Sequence, residues 1–209
     1  MRIEKLAAKP DRAGRYLVRF DNGSTMRLYR QTVEDHGLYA GLELTGAEVS
    51  ALRTDAGQMS AKMRAVRIVA ASNVSKNDLQ QRLVRKGEDP QQAADAVSWM
   101  EELHLVDDRE TAAQIVSRCA SKGYGIARAK QALYEKRIPK EYWEDALADY
   151  PDQTERIVEF LRSRLNRDSD EREKKRAMDA LLRRGHGYGE IRAALRQLDF
   201  DDFQEEWNG

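Results

Sequence analysis

The chain has 209 residues, and its 36 Lys and Arg residues balance 36 Asp and Glu residues, which argues against a protein held on nucleic acid by bulk positive charge. Charged residues make up 34% of the chain and aromatic residues only 7%, a composition typical of helices with large solvated faces. The sequence contains neither a run of about eighteen apolar residues nor a leader-like segment, so we expect a cytoplasmic protein without membrane contact.

Residues 1–57 predict a small β-rich segment. Apolar and polar residues alternate at 15–20 and again at 25–29, on either side of the turn Asp21-Asn22-Gly23-Ser24. This pattern is typical of a β-hairpin, and residues 3–8 predict a third strand.

The end of this segment predicts a short helix and a linker. Thr45 and Glu48 have the spacing of a capping box, which predicts a helix that ends near Arg53. We expect the chain around Gly57 to be a linker to the helices that follow.

A first three-helix module is predicted at 58–107. Its first helix ends near Ser72, and the apolar stripe expected to face inward is Met59, Met63, Val66 and Ala70. Ser75 is the expected N-cap of the second helix, which Lys86-Gly87 ends. Pro90 suits the first turn of a third helix, 91–103. The residues expected to be buried in the second and third helices are Leu79, Leu83, Ala93, Val97 and Met100.

A second module is predicted at 108–150. Asp107 or Asp108 is the expected N-cap of its first helix, Gly123-Tyr124-Gly125 forms the hinge to the second, and Pro139 opens a third at 140–148. The inner faces predicted for the three helices are Ala112, Ile115, Val116 and Cys119; Ile126, Ala129 and Leu133; and Tyr142, Trp143, Ala146 and Leu147.

The last module is predicted at 151–209, with helices at 154–165 and 171–184 and a third that ends near Leu198. The side chains expected inside the first two helices are Ile157, Val158, Leu161, Leu165, Ala177, Met178, Leu181 and Leu182. The aromatic residues Phe200, Phe203 and Trp207 are expected to hold the C-terminal tail against this module.

One motif recurs. Gly123-Tyr124-Gly125-x-x-Arg128-Ala129 returns as Gly187-Tyr188-Gly189-x-x-Arg192-Ala193, and such internal similarity is typical of stacked repeats. The fold class predicted is mainly α, with tandem three-helix repeats that form an elongated curved body after the β-hairpin-rich N-terminal segment.

Charge alternates along the chain. Residues 76–87 sum to +3 and 88–108 to −7, while 118–140 sum to +6 and 141–155 to −6. Neighbouring helices could neutralise each other, or the molecule could have a basic edge and an acidic edge that fit a partner with both signs, and the two explanations are compatible. The candidate partner-binding residues of the basic edge are Arg82, Arg85, Lys86, Arg118, Lys122, Tyr124, Arg128, Lys130, Lys136, Arg183, Arg184 and Arg192.

No catalytic residue, metal site or cofactor is predicted. The histidines His36, His104 and His186 belong to no metal or nucleophile motif. The single cysteine, Cys119, excludes an internal disulfide and is expected to be buried. The pairs Tyr124 with Arg128 and Tyr188 with Arg192, one helical turn apart, could stack on a ligand or simply pack locally.

These residues resemble the RecX family, regulators of the RecA recombinase. Ser75, Lys76, Asp78, Leu79, Arg82, Leu83, Lys86 and Gly87 match the family's first-module pattern, and Val106 to Ala112 resemble its link to the second module. Its second-module signature is matched by Ser117, Arg118, Lys122, Gly123, Tyr124, Gly125, Arg128, Leu133, Lys136 and Ile138. Similarity continues from Leu182 to Leu195. The chain departs from the family at Thr111, Ala129 and Arg137, the last of which stands where glycine is usual.

The resemblance implies a regulator that is not an enzyme. Such a protein would lie in the helical groove of the RecA filament on single-stranded DNA, and would restrain strand exchange, ATP hydrolysis and repressor cleavage. It would be a monomer with at most weak direct contact to DNA. The alternative is a stand-alone helical DNA-binding protein or transcription regulator, which would place the Tyr-Gly-x-x-Arg helices in a DNA groove.

Overall fold

The computed structural model describes residues 1–166 and 168–198. The chain forms two compact units, Met1–Val106 and a second unit that begins at Asp107. The predicted contacts of Phe200, Phe203 and Trp207 lie outside the described residues. The fold is mainly α, with three-helix repeats after a small β-rich segment, as the sequence predicts.

The N-terminal sheet is antiparallel with the strand order β1 (Ile3–Leu6), β2 (Arg15–Phe20) and β3 (Thr25–Tyr29). The predicted hairpin and third strand are therefore confirmed. Tyr16 pairs with Leu28 and Val18 with Met26, because one side of each strand is apolar and covers a core. The buried members of this core are Ile3, Val18, Phe20, Leu28, Leu38, Leu44, Val49 and Leu52.

Two helices follow the sheet, the short α1 (Arg30–Asp35), which the sequence did not predict, and the long α2 (Gly46–Ala71). The capping box is confirmed, since the Glu48 amide donates to Thr45 Oγ1 at 3.2 Å and the Thr45 amide to Glu48 Oε2 at 2.7 Å. The predicted end at Arg53 and the linker at Gly57 are wrong, because α2 continues through both. Gly57 lies against the Gln92 side chain, so tertiary packing keeps a poor helix former in the helix.

The first three-helix repeat consists of α2 with α3 (Lys76–Arg85) and α4 (Pro90–Glu102). The predicted N-cap at Ser75 and the helix end at Lys86 are confirmed. The predicted inner face of α2 is correct in part, since Val66 packs against this core and Met59 and Met63 are half-buried, whereas Ala70 is exposed. The fully buried residues of α2 in this repeat are Ala61 and Ala65, whose small side chains allow α2 and α4 to approach closely. The buried residues of this core are Ala61, Ala65, Val74, Leu79, Leu83, Ala93, Ala96, Val97, Met100 and Val106.

The second repeat opens the second unit with α5 (Asp108–Ser121), α6 (Ile126–Glu135), a 3₁₀ turn (Lys140–Tyr142) and α7 (Trp143–Leu147). Its core contains Ala112, Val116, Leu133 and Ile138, with Ile115, Tyr142, Trp143, Ala146 and Leu147 packed against them. One predicted core residue is wrong, because Ile126 lies at the first position of α6 and is 36% exposed.

The third repeat consists of α8 (Thr154–Arg162), α9 (Glu171–Arg183) and α10 (Tyr188–Arg196). Its buried residues are Ile157, Val158, Leu161, Leu165, Ala177, Leu181, Ile191, Ala194 and Leu195. Leu182 was predicted to be inside and is 44% exposed, because the buried stripe of α9 passes through Leu181 instead. The four-segment division at 57, 107 and 150 stays a prediction.

Two residues other than glycine adopt positive φ in the described chain, His104 at 54° and Arg137 at 56°. His104 follows α4, the third helix of the first repeat, and Arg137 follows α6, the second helix of the second repeat. Arg137, which stands where the resemblance would place a glycine, therefore adopts the left-handed conformation, and this costs on the order of 1 kcal/mol for a residue with a Cβ.

Candidate functional site

Three of the basic residues singled out by the sequence, Lys86, Lys122 and Arg184, lie at three helix hinges with the same backbone geometry. Gly87, Gly123 and Gly185 have φ values of +90°, +67° and +87°. After each glycine, the next amide donates to the carbonyl five residues earlier: Glu88 to Leu83 at 3.2 Å, Tyr124 to Cys119 at 3.0 Å and His186 to Leu181 at 3.2 Å. This arrangement closes the end of a helix around a left-handed residue. We call these turns hinge 1 (86–89), hinge 2 (122–125) and hinge 3 (184–187).

The hinges correct the alignment of the sequence repeat. Helix α6 has Gly125 as its N-cap and α10 has Gly187, so Gly123 corresponds to Gly185. Tyr124 then corresponds to His186. The buried residues agree with this alignment, since Ala129 and Leu133 match Ile191 and Leu195. The structure therefore contradicts the equivalence of Tyr124 with Tyr188 and of Arg128 with Arg192.

Hinges 2 and 3 are in direct backbone contact. The Gly125 amide donates to the Arg184 carbonyl at 3.0 Å, and the Ala127 amide donates to the Gly185 carbonyl at 3.2 Å. The first turn of α6, whose amides have no partner within the helix, is thereby capped by the end of α9. A Cβ on Gly125 would overlap the Gly185 carbonyl, and one on Gly185 would overlap the backbone of Arg128. Only glycine fits at these two positions.

Three side chains contact carbonyls of hinge 2 and of Ser121, the residue before it. Arg156 Nη1 donates to Ser121 O at 2.7 Å, Tyr150 Oη donates to Tyr124 O at 2.6 Å, and His186 Nε2 lies 3.1 Å from Gly123 O. Burial raises the pKa of Tyr150 to about 12, so its hydroxyl stays a donor at neutral pH.

His186 is the buried histidine of the described chain, with 4% of its surface exposed. The sequence predicted no metal or nucleophile role for His186 and did not indicate its burial. Burial lowers the pKa of His186, although the Gly123 carbonyl and Glu190 act in the opposite direction. The neutral ring can donate from Nε2 to Gly123, while Nδ1 lies 4.0 Å from Glu190 Oε2.

A shallow pocket of about 570 Å³ lies beside hinges 2 and 3. Lys122, Arg156 and Arg184 line it, together with Glu155 and other residues of α8. Sequence reasoning missed Arg156, since nothing in the local sequence distinguishes it from other exposed arginines on a helix. The pocket brings together two predicted residues, Lys122 and Arg184, with this third cation.

Most of the predicted basic residues are exposed, and some already have partners. Arg82 forms an ion pair with Asp78 at 2.8 Å, and Arg128 forms one with Glu135 at 3.2 Å. Tyr124 is half-buried. Lys136 is also half-buried, at the end of α6. The exposed members of the set are Arg85, Lys86, Arg118, Lys122, Lys130, Arg183, Arg184 and Arg192.

The predicted residues divide between the two units. Arg82, Arg85 and Lys86 belong to the first, and the other nine belong to the second. Among the described residues, the guanidinium groups of Arg184 and Arg164 lie 4.7 and 5.3 Å from the Phe160 ring.

Neutralisation between helices is seen at two pairs. Lys76 of α3 contacts Glu101 of α4 at 2.8 Å, and Arg109 of α5 contacts Asp145 of α7 at 2.6 Å. Within residues 1–166 and 168–198, no ion pair engages the exposed residues Arg85, Lys122 or Lys130. Local neutralisation therefore explains part of the charge alternation and leaves several cations available.

Other chemistry finds little support in the described part of the chain. No group of three or more His, Cys, Asp or Glu residues there could hold a metal ion. Cys119 is a buried free thiol, as predicted, and burial raises its pKa. None of the described helices is both long and apolar enough to cross a membrane.

Comparison with known proteins finds similarity to one family. Residues 107–147 match the family model described as RecX, second three-helix domain. The Regulatory protein RecX of Xanthomonas campestris pv. campestris (strain B100) is 30% identical over 142 residues, which cover 66% of this chain and 87% of that protein. The one from Halorhodospira halophila (strain DSM 244 / SL1) is 30% identical over 155 residues, covering 71% and 96%.

Solved structures show the same fold. A crystal structure of regulatory protein RecX superposes with a TM-score of 0.67 at 19% identity, covering 93% of this chain and 98% of that one. RecX from Lactobacillus salivarius gives 0.61 at 21% identity, covering 68% and 97%. Because the first match covers 93% of this chain, it includes most of the β-rich segment.

Proposed function

The chain belongs to the RecX family of regulatory proteins, and on that premise we propose that it regulates the RecA recombinase. It binds in the groove of the filament that RecA forms on single-stranded DNA. There it lowers strand exchange, ATP hydrolysis and repressor cleavage. It acts as a monomer in the cytoplasm and makes or breaks no covalent bond itself.

The observation that carries this proposal is a cation at the same position of all three hinges. Lys86, Lys122 and Arg184 each occupy the C-cap of the helix before the left-handed glycine, and each is exposed. A filament of protein on DNA presents carboxylates and phosphates side by side. Arg and Lys side chains bind both groups through charge-assisted hydrogen bonds.

The helix dipole offers a competing reason for these cations. A positive charge in the last turn of a helix stabilises it by roughly 0.3–1 kcal/mol. That effect requires no partner, so the two explanations differ in what is lost on substitution. A dipole role predicts lower stability with unchanged regulation, whereas a binding role predicts lost regulation in a folded protein.

The test is the RecA ATPase rate on single-stranded DNA, titrated with this protein from substoichiometric amounts upward. We expect the wild-type chain to inhibit, and the triple reversal K86E/K122E/R184E to need about tenfold more protein or higher for half-inhibition, since rim charges act mainly on the rate of association. The matched control is R53E/R162E/R172E, which reverses three exposed cations outside the predicted set.

Two outcomes would contradict the proposal. One is a RecA ATPase rate that the wild-type chain leaves unchanged over the whole titration. The other is equal inhibition by the wild-type chain and the triple variant, with the variant shown to be folded by circular dichroism. Tight, sequence-selective DNA binding without RecA would instead favour the stand-alone DNA-binding alternative.

A further inference from the structure

The solvent-facing side of the N-terminal sheet carries an unusual set of residues. The pairing of the strands places Lys5 beside Arg19, Arg19 beside Thr25, and Leu17 beside Arg27. All five residues are exposed. On β2 and β3, the flanking residues Val18, Phe20, Met26 and Leu28 belong to the apolar core of the first unit. The exposed side of the sheet therefore carries cations on all three strands.

These cations are placed where they oppose one another. Lys5 lies directly across from Arg19, and Arg27 is the diagonal neighbour of Arg19 on the next strand. Like charges at such cross-strand positions destabilise a sheet. Among the residues that the structure describes, Lys5, Arg19 and Arg27 form no ion pair. The stability of the sheet therefore does not explain them.

The acidic residues nearby are few and mostly engaged. Residues 1–30 contain eight Lys and Arg and three Asp and Glu, a net charge of +5 in a protein of zero net charge. Asp11 binds the Arg15 guanidinium through two hydrogen bonds, and Asp21 accepts from the Arg2 amide. Glu4, at the irregular position of β1, is the remaining carboxylate.

The chemistry of this side indicates the class of its partner. A stable protein interface needs an apolar centre with aromatic or large aliphatic anchors, and Leu17 is the large apolar side chain exposed here. Binding through base stacking needs exposed aromatic rings, which this side lacks within the described residues. Three cations and a hydroxyl spread over adjacent strands, which lie about 4.8 Å apart, suit a chain of phosphates.

We infer that this side of the sheet binds the phosphodiester backbone of a nucleic acid without reading its sequence. The site consists of Lys5, Arg19 and Arg27, with Thr25 as a further donor. The inference goes beyond the proposed function, whose contacts lie on the helices, and it does not require RecA.

The experiment measures binding of the full chain, without RecA, to a fluorescent 30-nucleotide poly(dT) strand and to a 30-base-pair duplex of mixed sequence. Anisotropy titrations at 50, 100 and 200 mM salt give the affinity and its salt dependence. Loss of three phosphate contacts in K5Q/R19Q/R27Q should weaken binding on the order of 100-fold at 100 mM salt and reduce the salt slope by about 2 on the single strand. The two arms identify which form of backbone is preferred.

The control is R172Q/K175Q/R176Q, which removes the same charge from three exposed positions of α9, and it should bind as the wild-type chain does. Removing the cations of the sheet should also leave the melting temperature unchanged or higher, because their mutual repulsion is relieved. Equal weakening in both triple variants would overturn the inference, since bulk charge alone would then be responsible. So would a wild-type chain that binds neither nucleic acid, or a sheet variant that loses RecA inhibition while its DNA affinity is unchanged.

Discussion

Hinge 1 and hinge 2 have the same backbone geometry but are held in different ways. At hinge 1, the side chain of Glu88 is 7% exposed and forms an ion pair with Arg64 at 2.6 Å, while Ser60 Oγ donates to it at 3.0 Å. At hinge 2, the residue at the position of Glu88 is Tyr124, whose backbone carbonyl accepts a hydrogen bond from Tyr150 Oη. The turn also packs against hinge 3 through backbone hydrogen bonds. A Cβ on Gly87 meets nothing within 4 Å, whereas one on Gly125 has no room.

This difference shows two distinct reasons why a position requires glycine. Gly87 is needed for its positive φ, a local requirement that sequence can indicate. Gly125 has a φ of −78°, which any residue can adopt, and is needed because another backbone lies against it. The first requirement belongs to the turn alone, and the second belongs to the packing of two repeats.

The largest expected effect tests this distinction. Gly125→Ala should destabilise the second unit by about 3 kcal/mol or more, through overpacking and the strain on two backbone hydrogen bonds. Gly87→Ala should cost about 1 kcal/mol in the first unit, from the left-handed conformation alone. Urea unfolding followed by hydrogen exchange of peptides from each unit measures both.

The control is Gly189→Ala. Gly189 belongs to the second copy of the sequence motif, but it lies inside α10 with open space around it. Alanine there should stabilise the helix by roughly 0.5–1 kcal/mol. A loss of stability at Gly189 as large as that at Gly125 would mean that the two-residue shift in the repeat alignment is wrong.

A smaller effect is expected from the buried carboxylate of hinge 1. Glu88→Gln keeps the shape of the side chain but removes the charge that faces Arg64, and should cost about 2 kcal/mol, because a partly buried guanidinium loses its counterion. Hydrogen exchange should increase in peptides of the first unit and not in those of hinge 2. The control is Glu34→Gln, which removes an exposed ion pair with Arg30 and should change stability by less than about 0.5 kcal/mol. Similar losses of stability in both variants would contradict the role proposed for Glu88.

The smallest effect is a pH dependence confined to hinges 2 and 3. The folded-state pKa of His186 lies below its ordinary value because of burial, so the unfolded chain takes up the proton first as pH falls. The stability contributed by the neutral ring is fully present above the unfolded pKa of about 6.5 and is lost below it, by at most about 1.4 kcal/mol per pH unit.

Hydrogen exchange of the second unit between pH 7.5 and 5 measures this loss. His186→Gln keeps an amide that can donate to the Gly123 carbonyl and does not titrate in this range, so its stability should vary less with pH. An identical pH dependence in the wild-type chain and this variant would assign the effect to other groups.

Sequence predicted the features that depend on neighbouring residues. The caps at Thr45, Ser75 and Asp107 and the hairpin turn at Asn22-Gly23 were found because each is a local hydrogen-bonding pattern. The errors lie where distant contacts decide. Gly57 stays helical because Gln92 packs against it. The two Gly-Tyr-Gly copies have the same sequence, but they occupy different positions relative to the helix N-cap.

The candidate site could be predicted only in part for the same reason. Basic residues at helix ends are visible in the sequence, and most are exposed as expected. Arg156 and His186, in contrast, reach hinge 2 from 35 and 63 residues further along the chain. No local pattern marks a side chain whose partner is a carbonyl so distant in sequence.

The uninterrupted helix α2 fixes the distance between the two cores of the first unit. Its N-terminal half belongs to the core under the sheet through Val49 and Leu52, and its C-terminal half belongs to the helical core through Ala61 and Ala65. Twenty-six residues at 1.5 Å each make a rod of roughly 39 Å. A ligand bound by the sheet and one bound by α3 and α4 would therefore be kept at a set distance from each other.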